Sequence, residues 1–144
     1  MTNAFWQGIE EFNKEEFYAC HDTLEALWME AVEPDKRFYQ GILQIAVACY
    51  HLGNLNWRGA VILLGEGIGR LRDYQPVYEG IDVADLMSQC MSLLKVLQQT
   101  GQEQVQEVVK QLTTDQANYT GEGGGEGIGL PKILRINSID LSRN

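Results

Sequence analysis

The chain has 144 residues, a formal net charge of −9 at neutral pH and 44% hydrophobic residues. That length points to one domain, and the apolar content suffices for a core. The acidity, with a pI near 4.6, argues against affinity for nucleic acid or for anionic membrane surfaces. No run reaches the length of a membrane-spanning helix, and Met1 to Glu10 is neither basic nor followed by a long apolar stretch, so no secretory leader is expected. Cys20, Cys49 and Cys90 are odd in number and form no CxxC, which reads as reduced apolar side chains of a cytoplasmic protein.

Taken in chain order, the pattern predicts an all-α fold: a compact bundle of five or six short helices, followed by a Gly-rich linker and a short extended C-terminal tail. Residues 3–12 form a first helix with Phe5, Trp6, Ile9 and Phe12 as its apolar positions. Asn13 and Glu16 have the spacing of a capping box for the second helix, with Phe12 and Phe17 as its hydrophobic staple. The second helix turns Phe17, Cys20, Leu24, Leu27, Trp28 and Ala31 to one side, and Pro34 fits the break that follows. Residues 35–53 are apolar on nearly every side of a helical wheel, as befits a helix in the middle of a bundle.

Asn56 is the expected cap of a fourth helix that runs to about Asp73. Inside it Gly65, Gly67 and Gly69 each cost about 1 kcal/mol relative to alanine. Gly65 and Gly69, four apart, predict the close approach of another helix backbone, from this chain or a second copy. Residues 74–81 read as a loop, Asp82 as the cap of a fifth helix, Gly101 as its stop, and residues 102–113 as a weaker amphipathic helix. From Asn118 the composition changes. The division expected is a helical domain over 1–117 and a linker and tail over 118–144, with residues 128–136 docked on the bundle because Ile128, Leu130, Ile133, Leu134 and Ile136 would otherwise make an exposed apolar end.

Five polar residues stand out on the apolar faces. Gln40, Gln44 and His51 fall on one narrow line of the central helix, and His21 and Glu25 lie four apart on the second. They are the candidate site, with His21 expected within hydrogen-bond reach of Gln44 or His51.

The segments that carry these residues resemble a known family. The pattern Phe17, His21, Leu24, Glu25, Trp28, then Phe38, Tyr39, Gln40, Gly41, Gln44, Tyr50, His51, then Asn56, Arg58, Gly59, Ala60 is similar to that of the bacterial, archaeal and plastid family catalogued as domain of unknown function 309, over roughly residues 5–72. The resemblance implies a small all-helical bundle and brings no activity with it.

Three uses of the polar residues stay open. A buried His/Glu/Gln cluster can tie helices together in a structural or interaction module, since its donors and acceptors are complementary. His21, Glu25 and His51 make a two-His, one-carboxylate set for a divalent metal, although none is required and no Glu-x-x-His motif occurs. Gln44 and His51 stand about 10 Å apart along the axis, so one ion cannot touch both. The same three residues can serve acid–base chemistry on a small molecule, lined by Phe17, Trp28, Tyr39, Tyr50 and Trp57. As for partners, Ile62 and Leu63 fall outside the main stripe of the fourth helix, which calls for a cover: a homodimer or the folded-back tail.

Overall fold

The computed structural model of the chain describes residues 1–118 and 129–136, and for 113–118 only the helical backbone. Six α-helices appear among them: α1 (Asn3–Asn13), α2 (Phe17–Glu30), α3 (Asp35–Gly53), α4 (Trp57–Leu71), α5 (Val83–Thr100) and α6 (Val105–Asn118). The all-helical expectation holds. Helix α3 is the middle of the bundle, between α2 and α4, and it buries Phe38, Ile42, Ile45, Ala46, Cys49 and Leu52 among others. Helix α1 packs on α2, and α5 on α4. No helix is long and apolar enough to cross a membrane among the described residues.

Two of the expected caps are made. Asn56 Oδ1 accepts from the Gly59 amide at 3.0 Å and Asp82 Oδ1 from the Asp85 amide at 2.9 Å, so α4 and α5 start where the sequence places them. Gly101 closes α5 at φ +79°. The capping box at Asn13 is not made. Asn13 belongs to α1, and Glu16 caps α2 with no side-chain bond. The chain instead leaves α1 through a Schellman motif, with Glu15 left-handed at φ 64° and the Glu16 amide bonded to Glu11 O at 2.9 Å. Helix α3 ends the same way, with Leu55 at φ 61° and the Asn56 amide bonded to His51 O at 2.8 Å. The staple contact between Phe12 and Phe17 is present, edge to face at 5.4 Å.

Within the chain, Gly65 and Gly69 do not mark a helix crossing among the described residues. A Cβ built on either one meets nothing within 4 Å among the described residues. The close approach is at Gly67, where a Cβ would stand 2.7 Å from Ile45 Cγ1 and 3.0 Å from Gly41 O, and at Gly41, where it would meet Leu71 at 2.8 Å. The glycine between the two singled out by spacing is the one that faces α3.

Residues 74–81 hold more order than a loop. After a 3-10 turn at Arg72–Tyr74, β1 (Val77–Tyr78) and β2 (Ile81–Asp82) pair as a small hairpin, turning at Glu79 and Gly80, both with positive φ. Residues 129–136 lie along this hairpin and α1 as an extended strap. Arg135 bridges to Ile81, and Ile133 is 3% exposed. Of the linker and tail expected over 118–144, residues 119–128, with Ile128, and 137–144 lie outside the described residues.

Candidate functional site

Helix α3 is covered by α2 on one side and α4 on the other, and a strip of it remains open between them. Gln40, Leu43, Gln44 and Val47 of that strip line a groove of about 310 Å³ with Glu25 and Trp28 of α2 and Leu63 of α4. The floor is apolar. Of the seven side chains in its wall only Glu25 is charged, and Lys36 borders it with Nζ 4.3 Å from the centre of the Trp28 ring. Trp28 Nε1 is buried without an acceptor among the described residues.

Three of the five candidate residues, Glu25, Gln40 and Gln44, therefore share one groove. Gln44 is the only polar side chain counted as buried among the described residues, at 9% exposure. Its carboxamide is held at both ends: Nε2 donates to Glu66 Oε1 at 3.0 Å and Oε1 accepts from Arg70 Nη1 at 3.0 Å. Glu66 and Arg70 stand four apart on α4, a spacing readable in the sequence, but nothing there pairs them with Gln44.

The histidines are placed differently from the expectation. His21 does not reach Gln44 or His51. Its Nδ1 lies 3.1 Å from Asp22 Oδ1 and its Nε2 3.0 Å from Glu25 Oε2, so both ring nitrogens face carboxylates of its own helix. The side chains of His21 and Glu25 are 31% and 46% exposed, which corrects the reading of a buried His/Glu/Gln cluster: on the wheel α2 turns them to the edge of its contact with α3. His51 is spent on the α3–α4 junction. Asn56 Nδ2 donates to its Nδ1 at 3.3 Å, and its ring covers Gly59, where a Cβ would come within 2.9 Å of it. Tyr18 and Tyr50 stand between the two histidines, with ring centres 5.6 Å apart. Among the described residues no three His, Cys, Asp or Glu side chains converge in a way that could hold a metal ion.

The thiols offer no nucleophile. Burial pushes Cys20 and Cys90 up to about 12 and Cys49 well above its ordinary range. A larger hollow of about 900 Å³ opens between Glu11, Glu15, Tyr18, Tyr50, Leu112 and Leu130.

The residues that line the groove all fall in the stretch that carries the family motifs. Residues 5–63 match the family described as Domain of unknown function (DUF309). The resemblance drawn over 5–72 is thus shown over 5–63, and the DUF309 match contains all five candidate residues while ending before Glu66, Arg70 and the strap. The chain is also 30% identical over 99 residues to the uncharacterized protein YpuF of Bacillus subtilis (strain 168), a match over 66% of this chain and 57% of that protein. The chain therefore spans less than two thirds of that relative. Within the DUF309 region the motif residues divide by role: Phe17, Leu24, Phe38, Tyr39 and Ala60 are core, whereas Glu25, Trp28, Gln40 and Gln44 line the open groove.

Proposed function

We propose that the chain is an interaction module whose docking surface is the groove between α2, α3 and α4, and that its occupant is a second copy of the chain. The groove itself carries the reading: an apolar hollow over the middle helix of the bundle, walled by Trp28, Leu43, Val47 and Leu63. Charge bears on where two copies would meet. Two chains of net charge −9 repel, and they meet at least cost on a surface with few charges, which is also the composition of interface cores. Exposed apolar side chains are neighbours in sequence of the residues that line the groove. Met29, at the end of α2, and Val32, just past it, are 67% and 78% exposed, and Ile62, which precedes Leu63 in sequence, is 48% exposed. A two-fold contact needs such a self-complementary patch.

Sedimentation of the full chain at tens of micromolar tests this, the range in which weak specific dimers form. A dimer is expected, converted to monomer by Val47→Glu or Leu63→Glu with the helical signal unchanged. A wild-type monomer at that concentration refutes the second copy as occupant. Acid–base chemistry on a small molecule is the second reading, favoured by the 3.0 Å contact of His21 with Glu25. Against it, a base must present a free nitrogen to its substrate, and both nitrogens of His21 face carboxylates.

A further inference from the structure

The strap is held by more than burial. Asn13 Nδ2 donates to Ile133 O at 2.9 Å, and Asn13 Oδ1 accepts from the Ile133 amide at 2.7 Å. Gln89 does the same to the neighbouring residue: Nε2 donates to Lys132 O and Oε1 accepts from the Lys132 amide, both at 2.9 Å. Two carboxamides, one on α1 and one on α5, thus each read both polar groups of one backbone residue, as a neighbouring strand would. The strap then joins a real strand edge. The Asp82 amide donates to Leu134 O at 3.0 Å and the Ile136 amide to Gly80 O at 2.7 Å, which pairs the strap with β2 through an antiparallel bridge between Ile81 and Arg135.

Side chains supply what the backbone bonds do not. Ile133 is buried between the reading amides. Lys132 Nζ donates to Asn13 O at 2.8 Å and to Glu15 Oε2 at 3.1 Å. The Arg135 guanidinium lies 3.9 Å from the centre of the Trp6 ring. Strand addition with main-chain bonds for affinity and alternate side chains for specificity is a general mode of peptide recognition. The two cations of the segment also complement an acidic host.

We infer that the surface formed by α1, β2 and α5 is a peptide-binding site for an extended segment with the order Pro-Lys-Ile-x-Arg-Ile, filled by residues 131–136 of the same chain and open to the same segment from a second copy. The site is distinct from the α2–α3–α4 groove and does not depend on it. It also gives Asn13 its role: the residue that the spacing assigns to a helix cap is spent on ligand backbone.

A ligand tethered to its site acts at an effective concentration of about millimolar, so free peptide competes poorly until the tether is cut. The test uses the full chain with a specific protease site inserted between Gly123 and Gly124, and a labelled synthetic peptide of residues 129–136. After cleavage the released C-terminal piece is expected to co-elute with the bundle. The labelled peptide should displace it saturably, binding at least about tenfold tighter to cut than to uncut protein, as loss of a tether predicts. A peptide carrying Ile133→Asp should lose that binding, and Asn13→Ala and Gln89→Ala proteins should each weaken it several-fold. If cutting lowers the helical signal, restoration by added peptide supports the site and failure to restore it overturns the proposal. Equal binding of the Ile133→Asp peptide, or no gain on cutting, overturns it as well.

Discussion

The crossing of α3 and α4 makes opposite predictions for two glycines two residues apart. Replacing a helical glycine with alanine gains about 1 kcal/mol of helix propensity. At Gly65 no described residue lies within 4 Å of the new Cβ, so Gly65→Ala should keep that gain and raise the melting temperature by about 3–5 °C, the shift per kcal/mol expected near this size. At Gly67 the Cβ would stand 2.7 Å from Ile45 Cγ1, inside ordinary van der Waals contact, and 3.0 Å from a backbone oxygen. Neither neighbour is the free end of a flexible side chain, so the helices must part. Overpacking of this kind costs about 1–3 kcal/mol, and a clash with backbone belongs at the upper end. Net of propensity, Gly67→Ala should destabilise by about 1–2 kcal/mol and melt about 3–10 °C lower. Thermal and urea unfolding of both variants at low protein concentration reads the two signs directly. Two shifts of the same sign and similar size would refute the geometry of the crossing.

The His21–Glu25 pair should be nearly neutral for stability: a double-mutant cycle with alanine is expected to give a coupling of about 0.5 kcal/mol or less, the range for exposed i, i+4 pairs, and a coupling above about 2 kcal/mol would place the pair in a dry environment after all. Stability should fall at alkaline pH. Burial raises the folded-state values of Cys20, Cys49 and Cys90, and burial with the Asp35 hydrogen bond raises Tyr78, so the unfolded chain loses these protons first; the stability is intact below about pH 8.5, the unfolded thiol value, and is lost as pH rises towards 12. Urea midpoints that stay level from pH 8 to 11 would contradict that burial. Leu55→Gly should stabilise by about 0.5–1 kcal/mol in chemical denaturation, because a left-handed residue at the end of α3 costs about 1–2 kcal/mol for a side chain and little for glycine, offset in part by glycine's greater chain entropy. A loss of stability would mean that the leucine side chain makes contacts its 45% exposure does not suggest.

Much of the architecture was written locally. Periodicity of apolar residues set the helices, since each must bury one face, and α3, apolar all round, could only be the middle of the bundle. Asn56, Asp82 and Gly101 act through bonds spanning a few residues, so their roles could be read without a partner. The candidate site was legible only in part. Spacing placed Glu25, Gln40 and Gln44 on facing sides of α2 and α3, but a wheel gives an angle and not the depth of the neighbouring helix. Only the packed bundle decided that Gln44 is buried between Glu66 and Arg70 while His21 stays at the rim with both nitrogens on its own helix. The same limit explains Gly67, because three alternate glycines look alike until a second helix chooses one face. Asn13 shows it most clearly. Locally it has the makings of a cap, yet its carboxamide binds Ile133, 120 residues away, and no rule of short-range spacing can compare a bond to the next turn with one to the far end of the chain.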